Sequence, residues 1–177
     1  MAGTNDVVIR QATMDDAEVL AELGARLFEQ TFGPVNTRED MEAYLPSAFS
    51  PDIQRAELAE PDRIALIAFD ETGMPVGYAM TRRGSRSSGV VSARPVEIQR
   101  IYVDRNLHGR GLGDRLMNSC VEQARAWNAD LLWLAVWEQN ARAIAFYKRS
   151  GFAVIGVQDF VLGSDVQHDL VMGRPMD

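Results

Sequence analysis

Apolar positions along this chain follow two rhythms, a spacing of three to four and a strict alternation, and the switches between them outline the elements. Residues 7–11 read as a strand. Thr13-Met14-Asp15-Asp16 then has the form of a capping box, opening a helix on which Leu20, Leu23, Leu27 and Thr31 share one face. Thr37-Arg38-Glu39-Asp40 repeats that start signal. Ser50-Pro51-Asp52, with proline at the first helical position, begins a third, short helix running through Leu58. Residues 63–69 and 76–81 have strand character. They are joined by Asp70-Glu71-Thr72-Gly73-Met74-Pro75, which has hairpin-turn chemistry, so antiparallel pairing is expected. Residues 82–89, rich in Arg, Ser and Gly, are expected to form a mobile polar loop.

The second half alternates more regularly. Residues 94–103 supply a fourth strand, and residues 111–127 a helix that turns Leu112, Leu116, Cys120, Val121, Ala124 and Trp127 toward a sheet. Residues 131–137 form a buried strand. A short helix follows, capped by Asn140 and ended by Gly151. Residues 152–162 and 166–172 finish as two strands around Gly163-Ser164-Asp165. Strand, helix and strand in the order 98–103, 111–127 and 131–137 predict a right-handed crossover between parallel strands. The expected fold class is therefore mixed α/β, with one domain over residues 1–177 and no internal repeat.

Composition changes this picture in three ways. An apolar share of 46% against 24% charged is enough to build a core, which disfavours disorder. No apolar run approaches the ~20 residues of a membrane span, and Met1 to Asp6 lack the basic and apolar regions of a secretory signal, so a cytoplasmic protein is expected. The formal net charge of −7 is unevenly placed: residues 97–151 hold eight Lys/Arg and six Asp/Glu, the remainder ten and nineteen. A slightly basic segment suits a phosphate-rich cofactor. The acidic remainder argues against nucleic acid and favours a small cationic partner, although solubility alone accounts for many of those carboxylates. Cys120 is the only cysteine and falls on an apolar helix face, while His108 and His168 lack ligand spacing, so no metal site is expected.

The segment with chemistry in it is His108-Gly109-Arg110-Gly111-Leu112-Gly113, between a strand and an amphipathic helix. Glycines there permit positive φ and leave backbone N–H groups uncovered, and the helix that follows adds the positive end of its dipole. Such a turn suits a pyrophosphate. A tight structural turn has the same pattern, but the stretch lacks the Gly-Lys-Ser/Thr ending of a P-loop and lies too late in the chain for an opening dinucleotide fold.

Read together with Asn140-Ala141-Arg142-Ala143-Ile144-Ala145-Phe146-Tyr147-Lys148-Arg149-Ser150-Gly151-Phe152, the turn resembles the GCN5-related N-acetyltransferase (GNAT) superfamily, whose loop reads Gln/Arg-x-x-Gly-x-Gly/Ala and whose later helix reads Asn-x-x-Ala-x-x-Phe-Tyr-x-x-x-Gly-Phe. His108 departs from the usual Gln or Arg, which implies altered cofactor affinity with binding kept. The resemblance implies a twisted, mostly antiparallel sheet of about seven strands, flanked by helices, in which the fourth and fifth strands run parallel and splay apart to admit acetyl-CoA. It further implies that the backbone of Ile101, Tyr102 and Val103 pairs with the pantetheine arm. Amides of Gly109, Arg110, Gly111, Leu112, Gly113 and Asp114, with His108, would hold the pyrophosphate. Asn140 would touch the cofactor as well as cap its helix, and Lys148, Arg110 and Arg142 are candidates for the 3′-phosphate.

Acetyl transfer to an amine also needs proton management, because an alkyl ammonium has a pKa of ~10.4 and must be neutral to attack. Glu97 matches the family glutamate that acts directly or through water, its bland alternative being a solvated strand residue. Tyr147 matches the family tyrosine that gives a proton to the departing thiolate, its alternative being an aromatic packed on the core. Trp133 and Trp137, alternating along the fifth strand, are candidates to wall the cofactor or acceptor channel, but core packing is the commoner use of such residues and they are left outside the site.

A closer likeness is to the PaiA-type polyamine N-acetyltransferases. It lies in Glu97-Ile98-Gln99-Arg100-Ile101-Tyr102-Val103, Trp133-Leu134-Ala135-Val136-Trp137-Glu138-Gln139-Asn140, His168-Asp169-Leu170-Val171-Met172, Glu29-Gln30-Thr31-Phe32 and Met41-Glu42-Ala43-Tyr44-Leu45. It implies spermidine, spermine or a related amine as acceptor; a polyamine would be drawn to an acidic cleft, and Glu29, Asp40 and Glu42 lie in the helical region that shapes the family's acceptor groove. A peptide, lysine, amino-acid or drug acceptor remains open, as does a non-catalytic acyl-CoA-binding regulator, and so does assembly as a homodimer.

Overall fold

Short polar side chains start the helices where the sequence signals lie. In the computed structural model, which describes residues 7–177, Thr37 accepts the Asp40 N–H at 3.1 Å to open α2 (Arg38–Ala48), and Ser50 accepts the Ile53 N–H at 3.2 Å to open α3 (Pro51–Ala59). Ahead of α1 (Ala17–Phe32), Asp16 accepts the Thr13 N–H at 2.7 Å and pairs with Arg10, whose guanidinium draws the Asp16 carboxyl down to about 2. Met1 to Asp6, where no secretory signal is read, lie outside the described residues. Among the described residues no helix is long and apolar enough to cross a membrane.

The strands β1 (Val8–Gln11), β2 (Arg63–Phe69), β3 (Pro75–Arg83), β4 (Pro95–Val103), β5 (Leu131–Trp137), β6 (Ala153–Leu162) and β7 (Asp165–Pro175) form one sheet in the order β1-β2-β3-β4-β5-β7-β6. Every neighbouring pair is antiparallel except β4 and β5. Those two run parallel and stay paired over three positions only, Pro95↔Leu131, Val96↔Leu132 and Glu97↔Trp133, after which they part. The splay implied by the family resemblance is thus present. On its other side β4 carries a bulge: Met80 faces Arg100 and Thr81 faces Ile98, which leaves Gln99 without a partner on β3.

Each face of the sheet has its own cover. On one, α4 (Leu112–Ala126) lays Leu112, Leu116, Met117, Cys120, Val121 and Ala124 on β3 and β4, joined by α5 (Ala141–Arg149). Gly77 permits that close approach, since a Cβ there would sit 3.0 Å from the Tyr102 carbonyl and 3.4 Å from Leu116. On the other face, Leu20, Leu23 and Leu27 of α1 meet Ile67, Tyr78 and Met80. Burial pushes the Cys120 thiol up to about 12.

One expectation needs correction. The loop at residues 82–89 is not a free flap: β3 runs on to Arg83, Trp133 Nε1 donates to the Ser85 carbonyl at 3.0 Å, and Val90 is buried. Gly89, at φ +79°, lies so close to β6 that a Cβ would fall 2.0 Å from the Ile155 carbonyl oxygen. Long-range contacts, which polar composition cannot reveal, hold the segment down: backbone against β6, the Trp133 side chain, and a bond from Ser87 to Gln158.

Candidate active site

Beyond Val103 the chain makes a short 3-10 turn, Arg105–Leu107, capped by Asp104, and then reaches the glycines. Gly109 and Gly111 have φ of +74° and +83°, and a Cβ on either would meet nothing within 4 Å. Glycine is required there by backbone conformation, and the space above the turn is open. Gly111 is also the N-cap of α4 and offers no side-chain oxygen to the first amides of the helix, which have no intrahelical acceptors. Those amides stay free for an anion, with the helix dipole behind them. Gly113 lies against the Phe146 ring, where a Cβ would find ordinary contact at 3.6 Å, so the start of α4 rests on α5.

His108 is neutral here. Its Nε2–H donates to the Val103 carbonyl at 2.8 Å and its Nδ1 accepts from Arg142, an arrangement that only the Nε2-protonated ring can make. Partial burial and the Arg142 charge hold its pKa below the ordinary value, against the pull of Val103 and Asp104. The positive charge at this corner therefore belongs to Arg142, which His108 positions.

The turn opens into a cavity of about 790 Å³ that runs between the parted strands to the face covered by α1 and α2. Of the residues singled out from sequence, Glu97, Ile101, Tyr102, Val103, His108, Gly109, Gly111, Gly113, Asp114, Asn140 and Tyr147 line it. Asn140 does so while capping α5 by accepting the Ala143 N–H at 3.2 Å. Arg110 and Lys148 are exposed and outside the lining, and Arg142 and Arg149 line it instead. The Leu112 side chain is fully buried in the core, so only its amide can serve the turn. Tyr147 packs between the rings of Phe146 and Phe152, and burial raises its phenol, which keeps it a proton-bearing donor.

The α1–α2 side of the cavity differs from expectation. Glu29 is exposed, Glu42 pairs with Arg38 at 2.6 Å, and Asp40 is engaged by the Ser164 N–H and hydroxyl at 2.7 and 2.9 Å; none of the three lines the cavity. The wall is built from Phe28, Phe32, Tyr44, Phe49 and Phe160, with Trp137 edge-on to Phe32. Of the two tryptophans weighed as channel walls or core, Trp137 lines the cavity, whereas Trp133 is buried with Val90 and Val171. Arg100 reaches in from β4, held by Glu57 of α3 through contacts of 2.7 and 3.1 Å, and Glu57 also pairs with Arg63 at 3.0 Å.

Asp169 is the residue that sequence reading missed. It stands on β7 opposite Trp137, is 8% exposed, and its carboxyl is pushed up to about 6 by burial and then by Glu138. The alternation of Gln167, Asp169 and Val171 along β7 was the available signal. Among the described residues no group of three or more His, Cys, Asp or Glu is placed to hold a metal ion.

Known proteins resemble this chain in sequence and fold. The profile of the acetyltransferase (GNAT) family matches residues 26–152. An uncharacterized N-acetyltransferase of Lactobacillus delbrueckii subsp. lactis is 31% identical over 96% of this chain and 98% of its own length. Another, from Mycobacterium tuberculosis, is 33% identical over 92% of this chain and 99% of its own. A PaiA N-acetyltransferase from Thermoplasma acidophilum, solved in complex with coenzyme A, superposes with a TM-score of 0.76 at 19% identity, over 96% of this chain and 99% of that one, a likeness of fold. With the profile match spanning most of its length, the chain belongs to the GNAT family of acetyltransferases.

Proposed function

We propose that the protein moves the acetyl group of acetyl-CoA directly onto a primary amine of a polyamine such as spermidine or spermine. The observation that carries this is the parting of β4 from β5 after three paired positions, in line with a glycine turn that leads into the unengaged first amides of α4, while the Arg110 amide is bonded to the Leu107 carbonyl at 3.3 Å. The open Cβ positions of Gly109 and Gly111 leave room for a pyrophosphate, and Arg142 and Arg149 supply positive charge beside it. The coenzyme A carried by the Thermoplasma acidophilum relative supports the same cofactor here.

Acetyl-CoA, when bound, supplies an acyl carbon activated as a thioester. The chain's own residues do the rest. The edge of β4 at Ile101, Tyr102 and Val103 is free of β5 and offers main-chain groups to the pantetheine amides. Glu97, at the last paired position before the strands part, lines the cavity and takes the ammonium proton, directly or through water. Tyr147 donates a hydrogen bond to the departing sulfur. A thiol has a pKa of about 8.5, well below a buried phenol, so this bond stabilises the thiolate more than it transfers a proton. Aromatic walls and carboxylates on the α1–α2 side suit a cationic, flexible acceptor.

Initial rates with spermidine, a lysine peptide and an aminoglycoside, alongside calorimetric titration of acetyl-CoA, test the reading. The highest kcat/KM is expected on spermidine. A higher value on either rival reassigns the acceptor, and tight acetyl-CoA binding with no turnover on any amine identifies a sensor.

A further inference from the structure

We propose that Asp169 selects the acceptor: its carboxylate holds a second ammonium, one that does not react, so that di- and polyamines are preferred over monoamines. This rests on the amine-acetylation reading above and adds the group that recognises the far part of the substrate.

Strand register supplies the geometry. Glu97 faces Trp133 and Asp169 faces Trp137, so the two carboxylates lie on opposite sides of β5 and four positions apart along it, about 13 Å of strand length at ~3.3 Å per residue. Trp133 and Trp137 have the same parity, which puts both carboxylates on the same face of the sheet. That face is the α1–α2 side, because Trp137 meets Phe32 of α1, and Gln167, two residues before Asp169, donates to Asn36 at 2.7 Å. Both carboxylates line the cavity. Asp169 is too far along β5 to reach an amine attacking beside Glu97, and it is well placed for a second nitrogen on the same chain.

The chemistry of its surroundings calls for a cation. Asp169 is nine-tenths buried, and among the described residues no side chain pairs with it. The groups facing it are Tyr44 from α2 and Glu138 just after β5, neither of them cationic, while Arg100 across the cavity is occupied by Glu57. His168, its neighbour in sequence, is exposed and bonded to Asp159. A buried carboxylate without a partner is costly to hold ionised. An incoming ammonium removes that cost, and the rings of Phe32, Tyr44 and Trp137 add favourable faces for it.

The test compares Asp169→Asn with the unaltered protein on diaminooctane and octylamine, which differ only in the distal ammonium. The ratio of kcat/KM between them is expected to fall about tenfold or more in the variant, through KM for the diamine. An unchanged ratio overturns the proposal. A second arm needs no turnover: spermidine is titrated calorimetrically onto protein saturated with coenzyme A. Binding weakened at least tenfold in Asp169→Asn supports the anchor, and affinity equal to the unaltered protein overturns it. If the unaltered protein acetylates no amine yet loses spermidine binding with the substitution, the transfer reading fails while the anchor stands.

Discussion

The two faces of the sheet are built from different materials. Beneath α4 the contacts are mostly aliphatic, joined by Phe146, Tyr147 and Phe152, and the ligand turn beside it is backbone, shaped by Gly109 and Gly111. Beneath α1–α3 an aliphatic contact of α1 gives way, toward the cavity, to rings and buried ions, with Glu57 holding Arg63 and Arg100 and the cavity walled by Phe28, Phe32, Tyr44 and Trp137. A backbone cradle tolerates many side-chain identities, whereas a wall of side chains changes with each substitution. The turn half is therefore the less sensitive to side-chain replacement, and the half beneath α1–α3 the more sensitive.

The sharpest way to break that contrast is through the buried ions. Glu57→Ala strands the Arg100 guanidinium, since the side chains of Glu57 and Arg100 are only 11% and 14% exposed, while Arg63 keeps Glu60 at 2.8 Å and Gln99 at 3.0 Å. A loss of about 3 kcal/mol is expected in urea unfolding. A loss indistinguishable from zero means that water already reaches the pair and that this face is less closed than its burial shows.

Next in size is Tyr147→Phe, which keeps the ring against Phe146 and Phe152 and removes only the donor. Turnover should fall roughly a hundredfold with acetyl-CoA affinity kept, read by thiol release and calorimetry. Unchanged turnover removes the phenol from the chemistry.

Smallest is Gly111→Ala. The added methyl has open space, so the change works only through the positive φ. Acetyl-CoA should bind about tenfold more weakly, with kcat at saturation little altered; loss of folding instead would show that the turn holds up the core.

These sites were not equally readable in advance. Caps at Thr37, Ser50 and Asn140 announce themselves, because the side chain and the amide it satisfies are three residues apart. The residue range of β5 is legible for a similar local reason, an apolar run between turns. Asp169 is not, because its role depends on β7 pairing with β5 more than thirty residues upstream, and a one-residue change of register would turn it to the other face. The acidic residues of α1 and α2 misled for the opposite reason: Glu29, Asp40 and Glu42 lie in the right helical region, but exposure and local partners spend them elsewhere. The pinned segment before Val90 was equally hidden, since its anchors lie on β5 and β6, more than forty residues downstream.

Cys120 has a practical corollary. It is the chain's sole sulfhydryl, sealed under α4 with its ionisation pushed up to about 12, so thiol-reactive dyes find no protein target at neutral pH. Every equivalent of colour in a continuous dye assay then reports coenzyme A set free, with no protein background to subtract.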